Sequence, residues 1–404
     1  MNYLKESLTI KSVLMQNRVC INPMEGCDSL DNGAPSDLTI RRYEKFAQSG
    51  AGLIWFEAVA VCREGRSSAN QLYLTEENKE SFVSLVKRIK QINPLIKIIC
   101  QVTHSGRFSK PNGVPEPCLA FRDPYLDERY PAHKNFEPVS DEYLDGLVER
   151  YEKTAQIAKE VGFDGIDIKA CHRYLMDELL SAHTRKGKYG GSFENRARLI
   201  RDVFDAVRKY ADDNFILCSR FNAYSAIDYP YGFGVDSKTG KENFEEPIKL
   251  LKILQEKGLS MINLTMGTPY YNPHVNKPHK NQFEEASQSV DRLLKGAETI
   301  KKNCKGLVVV STGYTYLKDG AYARANEMIE KGNADIIGFG RLAFAYPNFA
   351  KDIVESSKLD KAKCCVCCNK CSELLRAGLY TGCVVKDTET YLPIYLNYAK
   401  GKKG

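Results

Sequence analysis

"GFDGIDIKACHRYLMDELL" (residues 162–180) is the stretch whose reading decides the fold. Its first part is a short apolar run broken by a glycine and reads as a parallel strand buried on both faces. Its last part, from Leu175 onward, reads as the start of a helix. Lys169, His172 and Arg173 stand at the join, where a packed core admits nothing charged. A strand that ends in charge and turns into a helix is what a βα unit with a site at its mouth looks like.

Working outward, seven further runs have the same character: "RVCINPM", "GLIWFEAVAV", "IKIICQV", "NFILCSR", "SMINLTM", "GLVVVSTG" and "ADIIGFG". Amphipathic segments separate them, such as "DEYLDGLVERYEKTAQIAKEV" and "RARLIRDVFDAVRKYADD", with apolar residues three and four apart. Eight strand–helix pairs in order predict an α/β fold closed as a (β/α)8 TIM barrel over residues 1–355. A doubly wound open sheet competes, but no glycine-rich nucleotide loop joins a strand to a helix. In a barrel the site gathers at the C-terminal strand ends. Those ends carry Gln101, Thr103, His104 and Arg107, then Lys169 and His172, then Arg220 and Asn222, and finally "STG" and "GFGR". Cations, amide donors and glycines that let backbone N–H groups approach an anion point to a phosphorylated cofactor.

The totals exclude several classes. No apolar run in the 404 residues approaches the ~18 needed to span a membrane. The opening "MNYLKESLTIKSVLMQNR" lacks the apolar block of a signal peptide, so a cytoplasmic protein is expected. A net charge of +7 with scattered Lys and Arg gives no nucleic-acid surface, and the terminal "AKGKKG" reads as a solvated tail. Of 14 cysteines, eight are spread singly between Cys20 and Cys304 and read as small core residues. The other six crowd into "KCCVCCNKCSELLRAGLYTGCVV", which without export signals favours metal over disulfides.

At these residues the chain resembles the Old Yellow Enzyme family of FMN-dependent oxidoreductases. More narrowly, it is similar to the branch containing 2,4-dienoyl-CoA reductase and trimethylamine dehydrogenase. The resemblance runs through "NRVCINPM", "GAGLIWFEAVAV", "QVTHSGR", "GFDGIDIKACHRYL", "GKYGGSFENRARL", "STG" and "GFGRLAFAYPN". It implies FMN across the barrel mouth, with Pro23 and Met24 beside the isoalloxazine, Ala58 near its polar edge and Gln101 on its pyrimidine ring. Arg220 would sit beside N1 and the C2 carbonyl, and Gly313, Gly340 and Arg341 would hold the phosphate. A positive group beside N1 favours the anionic reduced flavin and so tunes a hydride donor. Glu25 stands where relatives place Thr, Cys or His near the flavin; a carboxylate there needs protonation, a cation partner or rotation away.

In the family the fourth strand ends in a His-x-x-His or His-x-x-Asn pair followed by Gly-Tyr-Leu. His172 and Tyr174 match, while Lys169 replaces the first histidine and Arg173 the glycine. The implied roles are an oxyanion grip from Lys169 and His172, protonation of carbon by Tyr174, and a carboxylate clamp at Arg173. Against these stand plainer readings: a buried Lys169–Asp167 ion pair, an Arg173 turned to solvent, and a Tyr174 that merely packs. Glu25 is a further candidate partner for Lys169.

Cys365, Cys368, Cys371 and Cys383 form C-x2-C-x2-C-x11-C. Three thiolates on a tight loop and one returning ligand suit a [4Fe–4S] cluster, as the resemblance implies for a Cys-rich extension over 356–404; zinc competes. The resemblance also implies a short form, without the second flavin- and nucleotide-binding region of larger relatives. The expected activity is an ene-reductase acting on α,β-unsaturated carbonyl compounds. Its electrons would come from NAD(P)H, or from a ferredoxin-like donor or separate reductase through the cluster. An amine dehydrogenase or demethylase and an electron-transfer module are the alternatives, and an oligomer is compatible with all three. The loop "FRDPYLDERYPAHKNFEPVS" and the segment "TMGTPYYNPHVNKPH", with Tyr270, Tyr271 and His274, are expected to wall the pocket.

Overall fold

The computed structural model describes residues 1–278 and 284–401; His279 of the expected pocket segment and the end of the basic tail lie outside them. Eight strands form the barrel: β1 Val19–Ile21, β2 Leu53–Trp55, β3 Lys97–Thr103, β4 Gly165–Ile168, β5 Ile216–Asn222, β6 Leu259–Thr265, β7 Val308–Ser311 and β8 Ile336–Phe339. Each pairs in parallel with the next, and β8 returns to β1 with Phe339 opposite Ile21, so the sheet closes on itself.

Alternation along the strands divides the core in two. Cys20, Leu53, Trp55, Ile99, Cys218, Met261, Val310 and Ile336 fill the cylinder, and a hairpin of Leu8–Ile10 and Val13–Met15 plugs its N-terminal end with Ile10, Val13 and Met15. The alternate residues, among them Ile54, Ile98, Ile166 and Leu217, pack outward against the helices. Such strands are apolar on both faces, which is why they read as continuous runs.

"GLIWFEAVAV" is two pieces rather than one strand, with Val59–Ala60 resuming after a break. The reason is Glu57, whose buried carboxylate accepts from Arg42 at 2.6 Å and from the Gly26 N–H at 2.7 Å. Residues beyond 355 form helices Lys370–Arg376 and Thr388–Gly401 around a small cluster of Leu374, Val384 and Tyr391. This extension is pinned to the barrel by Asp387, which accepts from Arg41 at 2.8 and 2.9 Å and from Lys45 at 3.0 Å. The Thr381 N–H also donates to the Gly26 carbonyl at 2.7 Å. Among the described residues no helix is long and apolar enough to cross a membrane.

Candidate active site

A cleft with an empty volume of about 1180 Å³ opens at the C-terminal ends of the strands. It gathers Pro23, Met24 and Glu25 after β1, Gln101 on β3, Lys169, His172 and Tyr174 after β4, and Arg220 on β5. Gly313 after β7 and Gly340 and Arg341 after β8 complete the rim. Cys371, Ser372, Leu375, Arg376 and Thr381 of the extension roof it.

Inside the barrel, directly below, Asp167 is fully buried. It accepts from Trp55 Nε1 and Gln101 Nε2, each at 2.6 Å, and from the Arg220 N–H at 2.5 Å. Its carboxylate is thus spent on orienting Gln101 and β5, so the plainer reading of a Lys169–Asp167 pair does not hold and Lys169 pairs with Glu25, the other partner the sequence offered. Lys169, only 2% exposed, places Nζ 3.3 Å from Glu25 Oε1 and 4.0 Å from the centre of the Tyr174 ring. Ser67 Oγ donates to the other Glu25 oxygen at 3.0 Å.

His172 and Arg173 both adopt left-handed backbone, with φ of 67° and 61°, a conformation that suits the glycine the family places second. The Arg173 N–H is held by Asp177 at 2.6 Å, and its guanidinium donates to Asp123 at 2.5 Å and to the Tyr231 carbonyl at 2.8 Å. Fully buried and outside the cleft wall, Arg173 is neither a substrate clamp nor a solvated side chain. Ala58 also lies off the cleft, where its carbonyl accepts from Gln71 at 3.2 Å. Two other strand-end residues turn away: His104 meets the Tyr143 hydroxyl at 2.7 Å, and Arg107 pairs with Glu178 at 2.7 Å and with Asp127.

The electrostatics follow from burial. The His172 imidazole is pushed well below its ordinary range by burial and by Arg220, Lys169 and Lys277 around it, so it is neutral. Tyr174 is held well above the usual phenol range by burial and by Glu25, so it keeps its proton; its hydroxyl is 3.3 Å from that of Tyr270. Lys277, which donates to Ser372 at 2.9 Å, was not singled out from the sequence. Burial, with Arg341 and Arg376 nearby, pushes its ammonium down to about 7. It sits in a loop without periodicity, so no pattern could mark it.

These features fit FMN. Lys169, Arg220, Lys277, Arg341 and Arg376 face the cleft against one carboxylate, Glu25, which suits a phosphate-bearing group. The buried Nε of Arg220 and Nε2 of His172 have no hydrogen-bond partner among the described residues. A Cβ on Gly340 would lie 2.9 Å from Met24 Sδ, and Gly313, at φ 110°, is open only to glycine. Arg341 already donates to the Pro278 carbonyl at 3.2 Å and to Asn369 of the extension at 2.9 Å.

The cysteine set is another matter. Among the described residues no group of three His, Cys, Asp or Glu side chains is placed to hold a metal ion. Cys368 faces solvent, Cys371 turns to the cleft, and the Cys367 N–H donates to Cys365 Sγ at 3.4 Å. The four expected ligands lie on one segment, where Cys371 feels the charge of Cys365 and Cys383, and Cys383 that of Cys365 and Cys368; the [4Fe–4S] cluster that the resemblance implies belongs with the proposals below.

Comparison with known proteins agrees with the barrel. The NADPH dehydrogenase of Bacillus pumilus (strain SAFR-032) is 30% identical over 353 residues, covering 86% of this chain and 93% of that protein. Among solved structures, a 2-naphthoyl-CoA reductase complex superposes with a TM-score of 0.77 at 20% identity, covering 95% of this chain but only 56% of the larger one. The Old Yellow Enzyme homologue from Zymomonas mobilis gives 0.66 at 21% identity, covering 89% and 94%. At such identities the structural likenesses establish the shared fold. A family model described as NADH:flavin oxidoreductase / NADH oxidase matches residues 4–360, nearly the whole barrel and its mouth. The chain belongs to that family of flavin-dependent oxidoreductases.

Proposed function

We propose that this protein is an ene-reductase that uses FMN and NAD(P)H to saturate the C=C bond of an α,β-unsaturated carbonyl compound. The observation that carries the reading is His172 Nε2, buried and without a hydrogen-bond partner among the described residues, on the cleft wall that also holds Lys169. FMN, when bound, supplies hydride at N5. Gln101, Arg220, Gly313, Gly340 and Arg341 would hold it, Gln101 being already oriented by Asp167.

Hydride arrival at the β-carbon pushes charge onto the carbonyl oxygen, and fixed donors stabilise charge most where it develops. His172, neutral and protonated on Nε2, donates one hydrogen bond to that oxygen. Lys169 supplies the positive charge, a stronger but less directional donor than the histidine of relatives. Glu25 holds Lys169 in place, and the pairing also neutralises a carboxylate that would oppose negative charge on the cofactor. Tyr174 delivers the proton to the α-carbon, and the Tyr270 hydroxyl is in position to restore it.

The cationic cleft speaks against amine oxidation, whose ammonium substrates would face Lys169 and Arg220. Electrons reach FMN from NAD(P)H in this reading. A [4Fe–4S] route from a ferredoxin-like donor through Cys365, Cys368, Cys371 and Cys383 is the other reading, and iron and acid-labile sulfide analysis of the purified protein separates the two.

His172→Ala is expected to lower kcat/KM for an enone by about 100-fold. Tyr174→Phe is expected to slow product formation by at least about 100-fold while NAD(P)H still reduces the flavin at the wild-type rate. Unchanged enone turnover in both variants would remove the proposal.

A further inference from the structure

Behind the Tyr174–Tyr270 pair lies a second chamber with an empty volume of about 980 Å³. Glu25, Tyr174, Tyr270, Leu375 and Arg376 face both spaces, so the two chambers share a thin partition. The wall of the second chamber is aromatic. Phe108 and Tyr270 stack with ring centres 3.6 Å apart and planes 16° from parallel, and Tyr130 meets Phe108 edge-on at 5.6 Å. Flat apolar surfaces of this kind bind flat apolar bodies.

The rim carries the opposite chemistry. Lys110, Arg129 and Arg376 line the chamber, and among the described residues each donates to a backbone carbonyl alone: Arg376 at 3.5 Å, Tyr271 at 3.1 Å and Pro269 at 3.0 Å respectively. Among the described residues none of the three has a carboxylate within ion-pair distance. The other charges of the chamber are already matched, Arg107 by Glu178 and Asp127, and Glu25 by Lys169 and Ser67. Three cations without counter-charges at the mouth of an aromatic chamber make a site for an anion carried on an apolar body.

We infer that this chamber binds the distal, anionic end of the substrate, whose class is an unsaturated carbonyl compound with a flat apolar body ending in a carboxylate or phosphate. The inference rests on the ene-reductase reading for the reacting end alone. Such a substrate would pass the Tyr174–Tyr270 partition, with its carbonyl at Lys169 and His172 and its charge at Lys110 and Arg129. Neither rim cation lines the cleft that holds Lys169 and His172, so they set selectivity without taking part in the chemistry.

The test is equilibrium binding by calorimetry to the oxidised, FMN-loaded protein, using benzylideneacetone, its para-carboxylate and its para-phosphooxy derivative. The anionic probes are expected to bind about fivefold to tenfold more tightly than the neutral one, a margin that shrinks with added salt. The double variant Lys110→Gln/Arg129→Gln, which leaves Arg376 in place, should remove most of that margin and leave the neutral probe's affinity and turnover unchanged. A larger margin for one anion identifies whether carboxylate or phosphate is preferred. Equal affinities for charged and neutral probes, or a double variant that weakens all three alike, would overturn the inference. Binding needs no reduction, so a margin without turnover would sink the ene-reductase reading and leave this one standing, whereas turnover without a margin would do the reverse.

Discussion

The Lys169 ammonium, 3.3 Å from Glu25 and 4.0 Å from the Tyr174 ring centre, shows how far local pattern reaches. Period two correctly turns Asp167 and Lys169 toward the same interior, yet Asp167 is claimed by groups on β2, β3 and β5 that only the closed barrel brings near. A double-mutant cycle tests the pair that forms instead. Glu25→Gln and Lys169→Met each leave a largely buried charge unmatched and should each destabilise by about 2–4 kcal/mol. The double variant should cost about 1–3 kcal/mol less than their sum in denaturant titrations. Strict additivity would mean that the pair does not form in solution. Arg173 was legible as a departure from glycine, but not its fate, because its partner Asp123 lies in an irregular loop fifty residues earlier. The strained turn it occupies is held by Asp177, whose carboxyl is pushed up from 3.8 to about 6, mainly by burial and against the pull of Arg173. A carboxyl raised on folding stabilises fully below its unfolded value, and that contribution is lost as pH rises through about 6. Asp177→Asn, which keeps an acceptor for the Arg173 N–H, should therefore gain about 2–3 kcal/mol relative to wild type between pH 4 and 7. Parallel stability–pH curves for the two proteins would refute the assignment.

At the scale of elements, the eight strands were readable because each is apolar on both faces, and that signature does not depend on what it packs against. The break in the second strand was not, since Glu57 looks like any strand carboxylate until Arg42 on a helix reaches it. The extension, read from its cysteine separations alone, gave no sign that it roofs the cleft, where Cys371, Leu375 and Thr381 line the wall and Asn369 receives Arg341. A roof fixed mainly through Asp387 makes a prediction of its own. Asp387→Ala should weaken FMN binding about tenfold and expose residues beyond 355 to limited proteolysis. The barrel's melting should shift little, because the lost ion pairs are half-exposed. Unchanged FMN affinity with a loosened extension would show that the roof plays no part in holding the cofactor.

For the whole molecule, closure is what turns scattered residues into one site. Pro23, Gln101, Lys169, Arg220, Gly313 and Arg341 come from six different strand ends and meet only because β8 pairs back to β1. The cylinder is solid with side chains and plugged below, so a ligand has access only from the mouth. There the charge balance favours a phosphorylated cofactor, and the unpartnered His172 favours a substrate oxygen. The central claim is that this mouth holds FMN against an enone so that electrons leave as hydride. Anaerobic mixing of the reduced, FMN-loaded protein with benzylideneacetone tests it most directly. The account predicts that flavin absorbance returns and that saturated ketone forms in an amount equal to the flavin; a flavin that stays bound and reduced in the presence of the enone would contradict it.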